Sequence, residues 1–200
     1  LGIRSIRLLL ADRSLLSLQL RALLRASRSG RLGVMVPFVS SLEDFREVTA
    51  AIAEARAELE VEPGEGTIGH VEVGVVIEVP GILPVLDDLL ATESLDFVAV
   101  ATDNLTQYLM ASDRTNGNTW RYFERSGPAL VRTLKSIVDT AAKRKKPLHV
   151  FGDVVADPQW TKILLGLGIR RFSISPISIP RVKIAILATK MPDARRRKLL

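Results

Sequence analysis

Six polar side chains stand at equivalent places in the sequence, at or just beyond segments that have the pattern of buried strands. These are Glu78 after the second segment, Asp103 and Asn104 after the third, Asp153 after the fourth, and Ser173 and Ser175 within the fifth. A single loop carboxylate usually caps a helix or meets solvent, but recurrence after successive strands favours one shared site. A ring of carboxylates and amides would suit Mg²⁺, which takes one or two carboxylates together with substrate oxygens and water.

The elements that must position these groups alternate along the chain. Short segments that are apolar on both faces alternate with helical patterns, which is typical of an α/β protein with parallel strands. Strands are predicted over residues 33–38, 73–77, 95–101, 147–151 and 171–175. Five parallel strands suit either an open doubly wound sheet or part of a barrel, and in both folds functional groups collect at the C-terminal strand ends.

Helices are predicted where apolar residues recur at intervals of three or four. The ranges are 3–27, 42–59, 82–91 and 128–143. Ser40 and Glu43 have the spacing of a capping box, Asp157 and Pro158 mark the start of a further helix, and Ser178 with Pro180 opens the last one. The residues between 61 and 72, and those from 102 to about 125, are predicted to be loops.

Composition narrows the function classes. The chain has 28 Lys+Arg and 22 Asp+Glu, a formal charge of +6, which suits an anionic substrate or partner. It has no cysteine, which excludes disulfides, thiolate metal sites and cysteine nucleophiles. The basic run from 143 to 146 is interpreted as a solvated helix end, so we expect no nucleic-acid role. No apolar run reaches the roughly 18 residues of a membrane span, and we expect a soluble cytoplasmic protein with no membrane partner.

Several strings resemble a known family. They are LGIRSIR (1–7), VMVPF (34–38), GVVIEVP (74–80), TDNLTQY (102–108), SDRTN (112–116), FGD (151–153) and FSISPISIPR (172–181). In this order they are similar to the C-terminal phosphoenolpyruvate-binding barrel of Enzyme I, the first phosphotransferase of the bacterial sugar phosphotransferase system. Pyruvate phosphate dikinase and phosphoenolpyruvate synthase share that barrel.

The resemblance implies a TIM-type (βα)8 barrel of which this chain holds the later strands. Residues 1–200 would then form one partial domain, with a leading helix over 1–30, five βα units over 31–190 and a basic tail over 191–200. We therefore expect the chain to be the later part of a longer protein.

The resemblance also implies a chemistry. Family members bind phosphoenolpyruvate and Mg²⁺ at the barrel mouth, pass the phosphoryl group to a histidine on a swivelling domain, and release pyruvate through an enolate. By position, Arg4 and Arg114 match phosphate-binding arginines and Glu78 matches a metal ligand. Arg25 also lies at a family-like position, where a structural role is equally expected. The implied partners are the phosphohistidine domain and a phosphocarrier protein, reached through an N-terminal region, and a second copy in a homodimer.

Three departures from the family pattern indicate an impaired copy. The order Asp103-Asn104 is the reverse of the family's Asn-Asp, so Asn104 stands at the second metal position and Asp103 brings a negative charge near the substrate. The weakened site is expected to bind Mg²⁺ poorly. Phe151 stands where the family has its acid cysteine and has no exchangeable proton. His149, two residues earlier on the same strand face, is a candidate replacement acid, although such a histidine is more often packed in a core.

The sequence predicts the phosphoenolpyruvate-binding domain of an Enzyme I-like phosphoenolpyruvate:protein phosphotransferase, impaired or inactive in this copy. One alternative is a non-catalytic module that binds phosphoenolpyruvate or another ligand, or serves dimerisation. The other is a Mg²⁺-dependent lyase or aldolase of the related phosphoenolpyruvate/pyruvate barrels.

Overall fold

The computed structural model describes residues 2–61 and 67–190. The strands are Leu32–Val36 (β1), Val71–Ile77 (β2), Phe97–Ala101 (β3), Leu148–Phe151 (β4) and Phe172–Ser173 (β5). The α-helices are Ile6–Ala11 (α1), Arg13–Ala26 (α2), Leu42–Val61 (α3), Leu86–Leu90 (α4), Thr102–Leu109 (α5), Trp120–Glu124 (α6), Gly127–Lys143 (α7), Asp153–Ala156 (α8), Pro158–Leu167 (α9) and Ile179–Leu187 (α10). Short 3₁₀ turns cover Ser27–Ser29, Pro80–Val85 and Pro176–Ser178.

The five strands form one parallel sheet in which chain order and spatial order are the same, β1-β2-β3-β4-β5. Every neighbouring pair is parallel, with Val36 beside Val75 and Phe151 beside Ser173. A doubly wound sheet reverses its strand order at a switch point, and the described strands contain no reversal. Consecutive parallel strands, each followed by helix, are the wall of a TIM-type barrel, which confirms the expected fold class.

One face of the sheet packs against the helices. Val75 and Val98 are completely buried there, and Phe45 of α3, Leu89 of α4 and Leu134 of α7 belong to the same apolar cluster. The packing of this face on the α-helices explains why one set of alternating strand residues is apolar. The alternate residues of each strand lie on the opposite face, which is the inner face of the barrel wall.

The inner face bounds a cavity of about 610 Å³, whose lining includes Met35, Phe97, His149, Phe151 and Ser173. The ring of Phe97 lies across the two strands before its own. A Cβ added to Gly74 would lie 2.4 Å from that ring, and one added to Gly33 would lie 3.3 Å from it. Glycine at position 74 is therefore required by the close approach of Phe97.

The predicted helix over 3–27 is wrong in its continuity. It is divided into α1 and α2 at Asp12, whose carboxylate accepts a hydrogen bond from the Leu15 amide and so starts a new helix. The predicted loop from 102 to about 125 is also wrong, because it contains α5 and α6. The helix predicted from residue 82 begins as a 3₁₀ turn and becomes α-helical at Leu86.

The capping box of α3 involves different residues from those predicted. Ser41, not Ser40, accepts a hydrogen bond from the amide of Asp44, and the Asp44 carboxylate accepts one from the amide of Ser41. Glu43 instead lies on the exposed side in an ion pair with Arg46. The cap at Asp157 is as predicted, because its side chain accepts from the Gln159 amide.

All five strands begin and end within two residues of the predicted limits, and β5 is reduced from the predicted 171–175 to Phe172–Ser173. His70 is exposed. The loop predicted between 61 and 72 lies partly outside the described residues. The basic tail from 191 lies entirely outside them. Of the helices in the described ranges, none combines the length and apolar character needed to cross a bilayer.

Candidate functional site

Hydrogen bonds link the C-terminal ends of β1, β2 and β3 through Glu78. This carboxylate is 5% exposed, and it follows β2 directly. Its Oε1 accepts a hydrogen bond from the Phe38 amide at 2.8 Å, just after β1, and its Oε2 accepts one from the Asn104 side-chain amide at 2.6 Å, just after β3. A carboxylate is only an acceptor, so Asn104 must turn its NH₂ group toward Glu78.

Asp103 continues the rim from β3 to β4. Its Oδ1 accepts a hydrogen bond from the Asp153 amide at 2.9 Å, and its Oδ2 lies 3.5 Å from the Arg114 guanidinium. Burial raises the pKa of the Asp103 carboxyl above its usual value, while the Asp153 amide bond acts in the opposite direction. Asp103 and Asn104, adjacent in sequence, therefore serve different halves of the rim.

Gly152 allows the chain to turn at the end of β4. Its φ is +121° with ψ 178°, a conformation reserved for glycine, and an added Cβ would lie 2.2 Å from Thr102 Oγ1 and 2.8 Å from Asp103 Oδ1. The Thr102 hydroxyl donates to the Phe151 carbonyl at 3.0 Å. These contacts fix Phe151, whose half-buried side chain faces the inner cavity.

Two arginines lie against one aromatic ring at the end of β1. The guanidinium carbons of Arg4 and Arg7 are 5.3 and 5.1 Å from the centre of the Phe38 ring, within cation–π distance. Phe38 is buried, and its ring also makes an edge contact with Tyr108 at 5.8 Å. Arg7 donates a hydrogen bond to the Ser40 hydroxyl, and both arginines are exposed. Neither has a carboxylate within ion-pair distance among the described residues, so both guanidinium groups remain open to an anion.

Phe38 has an unusual backbone conformation. Its φ of +64° is in the left-handed region, which costs a bulky residue about 1–2 kcal/mol. The 2.8 Å bond from its amide to the Glu78 carboxylate offsets that cost. Glu78 therefore helps to determine where the ring beneath the arginines lies.

His149 lies lower on the inner face. Its Nε2 is 3.2 Å from the Arg171 guanidinium, and its ring meets that of Phe97 edge to face at 5.7 Å. Since arginine can only donate, this nitrogen accepts and the imidazole is neutral. Burial, and then the charge of Arg171, lowers the pKa of His149. His149 shares a strand face with Phe151 as predicted, and its role as a replacement acid stays a prediction.

The other predicted residues contribute less to the rim. Ser173 and Ser175 are exposed, and Ser173 lines the inner cavity. Arg25 lies in the last turn of α2, partly buried. Arg114 is half exposed; its guanidinium adjoins the rim at Asp103, and its amide donates a hydrogen bond to the Gln107 side chain on α5.

Sequence reasoning missed Arg7 and the role of Phe38. Arg4 and Arg7 are three residues apart, a spacing that can direct both side chains to one surface, but Phe38 is far along the chain. Nothing local in the sequence indicates that this ring would lie beneath both guanidinium groups.

A parallel barrel wall whose C-terminal rim carries two arginines with no carboxylate partner among the described residues defines a domain of the TIM-barrel class suited to an anionic ligand. The chain belongs to the family of PEP-utilising enzymes, because residues 1–191 match its PEP-binding domain. It is 38% identical over 195 residues to the phosphoenolpyruvate-protein phosphotransferase of Haemophilus influenzae, covering 98% of this chain and 33% of that protein. For the Bacillus subtilis protein of the same name, the identity is 34%, covering 100% and 35%. The chain thus spans about a third of the length of these relatives.

Solved structures support the fold. A citrate lyase from Burkholderia xenovorans superimposes with a TM-score of 0.62 and 20% identity, covering 84% of this chain and 53% of the other. An HpcH/HpaI aldolase/citrate lyase family protein from Burkholderia cenocepacia gives a TM-score of 0.55 with 15% identity, covering 86% and 68%. At these identities the likeness concerns the fold alone.

The rim does not fit a magnesium site built on two carboxylates. Among the described residues, no three His, Cys, Asp or Glu side chains come together in a group able to hold a metal ion. Glu78 is the carboxylate at the predicted position, and each of its oxygens already accepts an N–H donor. The second candidate ligand, Asn104, directs its donor end toward Glu78, and Asp103 is engaged with Asp153 and Arg114.

Proposed function

We propose that this chain is the phosphoenolpyruvate-binding part of an Enzyme I-type phosphoenolpyruvate:protein phosphotransferase of the sugar phosphotransferase system, with impaired catalysis. The relatives that cover the whole chain carry that enzyme's name. The observation that carries the proposal is the pair of exposed arginines, Arg4 and Arg7, held on the Phe38 ring at the barrel mouth without a carboxylate partner among the described residues.

Phosphoenolpyruvate has two anionic groups, a phosphate and a carboxylate. Arg4 would bind the phosphate, because a guanidinium matches a phosphate with two parallel hydrogen bonds. Arg114 would bind the same ligand from the β3 side. Asp103 competes for Arg114, since the carboxylate already lies 3.5 Å from the guanidinium. Ligand binding must displace or share this ion pair, which weakens the affinity.

Turnover is impaired by Phe151. The enolate left when the phosphoryl group departs must be protonated to give pyruvate, and a phenyl ring carries no proton to donate. His149 shares the inner face but is neutral and accepts a hydrogen bond from Arg171 at Nε2, so its remaining proton is on Nδ1. We expect binding without efficient proton transfer.

The partners and setting follow from the same proposal. A phosphohistidine domain would receive the phosphoryl group and pass it to a phosphocarrier protein in the cytoplasm. A homodimer is favoured by exposed leucines on α1 and α2, where Leu8, Leu15 and Leu18 are 47%, 44% and 67% exposed. Any magnesium at Glu78 would bind weakly, because the carboxylate is already hydrogen-bonded.

A second candidate function is a non-catalytic module that binds phosphoenolpyruvate or a related anion. Two features favour this candidate. Phe151 at the inner face has no proton to donate, and the Asp103–Arg114 ion pair competes with the substrate for the arginine, so both act against turnover. The two candidates predict the same ligand and differ in turnover.

Calorimetric titration with phosphoenolpyruvate tests the binding site. Arg4→Ala and Arg114→Ala are expected to weaken binding by about tenfold or more, the typical loss for a charge-assisted hydrogen bond. Arg13→Ala is the matched control, because Arg13 is an exposed arginine on α2 already paired with Glu47 at 2.7 Å. Equal affinities for all three variants would reject the anion site.

Turnover separates the two candidates. In a chimera that supplies the remaining barrel units and phosphohistidine domain from one of the relatives, pyruvate release is measured with phosphocarrier present. We expect release only with Phe151→Cys, which introduces an acid thiol. Release by the Phe151 form at rates typical of enzymes, roughly 1 to 1,000 per second, would reject impaired catalysis.

A further inference from the structure

The Glu78 carboxylate is arranged to hold its neighbours in place rather than to bind a metal ion. It is nearly inaccessible, and its two oxygens accept hydrogen bonds from different strand ends, Phe38 on one side and Asn104 on the other. A buried carboxylate with two N–H donors is well compensated for its lost hydration. It needs no cation to be stable.

The neutral amide of Asn104 makes this arrangement possible. With an amide at position 104, a donor faces the Glu78 oxygen at 2.6 Å. With a carboxylate there, two acceptors would face each other at that distance, and both could stay ionised only with a cation between them. The residue type at 104 therefore determines whether the pair needs a metal ion.

The neighbouring carboxylate does not supply the missing charge. Asp103 is directed to the other side of β3, where it accepts from the Asp153 amide and pairs with Arg114. Bringing it to Glu78 would break both contacts and remove one of the hydrogen bonds that hold the turn at Gly152.

The Glu78–Asn104 pair also contacts the end of β1, through the Phe38 amide. Through the Phe38 amide, Glu78 stabilises a left-handed backbone conformation, with φ +64°, that sets the ring against which Arg4 and Arg7 lie. The link runs from Asn104 through Glu78 and Phe38 to both guanidinium groups.

We propose that the Glu78–Asn104 pair replaces a divalent cation in this protein, making the arginine site independent of metal. Glu78 is then a positioning residue for Phe38 and, through its ring, for Arg4 and Arg7. The assignment of the arginines to an anion rests on the proposed function, whereas the metal independence of the pair does not.

The experiment compares thermal unfolding in EDTA and in about 5 mM Mg²⁺, a concentration above the dissociation constants of about 10⁻⁴–10⁻³ M that weak carboxylate sites have for Ca²⁺. The unmodified protein should melt at the same temperature in both. Asn104→Asp should melt roughly 5–10 °C lower in EDTA and recover most of that loss in Mg²⁺. The control is Asn118→Asp, at an exposed position between α5 and α6. It adds the same charge, and its melting temperature should not depend on Mg²⁺.

A second variant keeps the test valid if Asn104→Asp does not fold. Glu78→Gln combined with Asn104→Asp reverses the polarity of the pair, because the glutamine oxygen accepts from Phe38 and its NH₂ donates to the new carboxylate. This double variant should be folded and insensitive to Mg²⁺. Failure of the double variant to fold, or a melting temperature raised by Mg²⁺, would contradict the hydrogen-bonding role.

Mn²⁺ binding gives a direct readout, followed by the loss of the aqueous ion's electron paramagnetic resonance signal. We expect no binding below millimolar concentration for the unmodified protein and a gain of at least tenfold in affinity for Asn104→Asp. Tight Mn²⁺ binding by the unmodified protein would overturn the inference even if phosphoenolpyruvate binds as proposed. Conversely, failure of phosphoenolpyruvate to bind, with the metal results as expected, would reject only the proposed function.

Discussion

Gly152→Ala probes the turn that joins β4 to the rim. The glycine has φ +121° and ψ 178°, and an alanine Cβ would lie 2.2 Å from the Thr102 hydroxyl and 2.8 Å from the Asp103 carboxylate. Neither neighbour can move freely, because Thr102 donates to the Phe151 carbonyl and Asp103 accepts from the Asp153 amide. The substitution must therefore strain the backbone or break these bonds.

The magnitude follows from those two penalties. A non-glycine residue in this region of φ and ψ costs about 1–3 kcal/mol. Displacing Thr102 and Asp103 loses a neutral hydrogen bond of about 1 kcal/mol and a charged one of about 2 kcal/mol. Together these penalties should lower the free energy of unfolding by about 4–6 kcal/mol, and the melting temperature should fall by roughly 10 °C or more.

Gly168→Ala is the matched control in urea unfolding. Gly168 also has a positive φ, +101°, but an added Cβ would make only an ordinary 3.6 Å contact with Val138. Its loss should be about 1–2 kcal/mol, from backbone strain alone. Adding Thr102→Ala to Gly152→Ala should recover part of the loss by removing the closest atom. Equal losses at the two glycines, with no recovery in the double variant, would refute the argument.

Three further substitutions test other parts of the structure. Hydrogen bonds from Arg144 and a neighbouring lysine lower the pKa of Asp87 to about 2, so its stabilising effect is present above about pH 4 and lost toward pH 2; the destabilisation by Asp87→Asn, measured by thermal unfolding, should shrink over that range. Thr161→Val should raise the free energy of unfolding by about 1 kcal/mol, because its buried hydroxyl has no hydrogen-bond partner in the described part of the chain. Arg31→Ala should change it by less than about 1 kcal/mol in urea unfolding, because the Arg31 side chain is 93% exposed despite its ion pair with Glu72. A large effect of Arg31→Ala would mean that the ion pair is not a screened surface contact.

The parallel sheet and the polar rim were predictable from the sequence. Segments such as 73–77 and 97–101 are apolar on both faces, a pattern typical of buried parallel strands, and the ends of such strands must meet at one edge of the sheet. That reasoning correctly brought Glu78, Asn104 and Asp153 to the same rim. It required no knowledge of side-chain orientation.

The details that decide the chemistry were not predictable. Adjacency of Asp103 and Asn104 in sequence suggests interchangeable roles, yet the start of α5 directs one to Asp153 and the other to Glu78. The helix itself was missed because its first turn is polar and its apolar residues are few. The left-handed Phe38 depends on a carboxylate 40 residues away, a contact that no local pattern encodes.

The position of the Phe97 ring has a consequence for how this sequence can vary. The ring occupies space that side chains at 33 and 74 would otherwise fill, so three strands draw on one shared volume. A relative with a small residue at position 97 would have a void there unless position 74 carried a larger side chain. Position 33 should depend less on position 97, because a Cβ there would lie farther from the Phe97 ring. Substitutions at these positions should therefore appear in compensating sets, with 74 and 97 changing together.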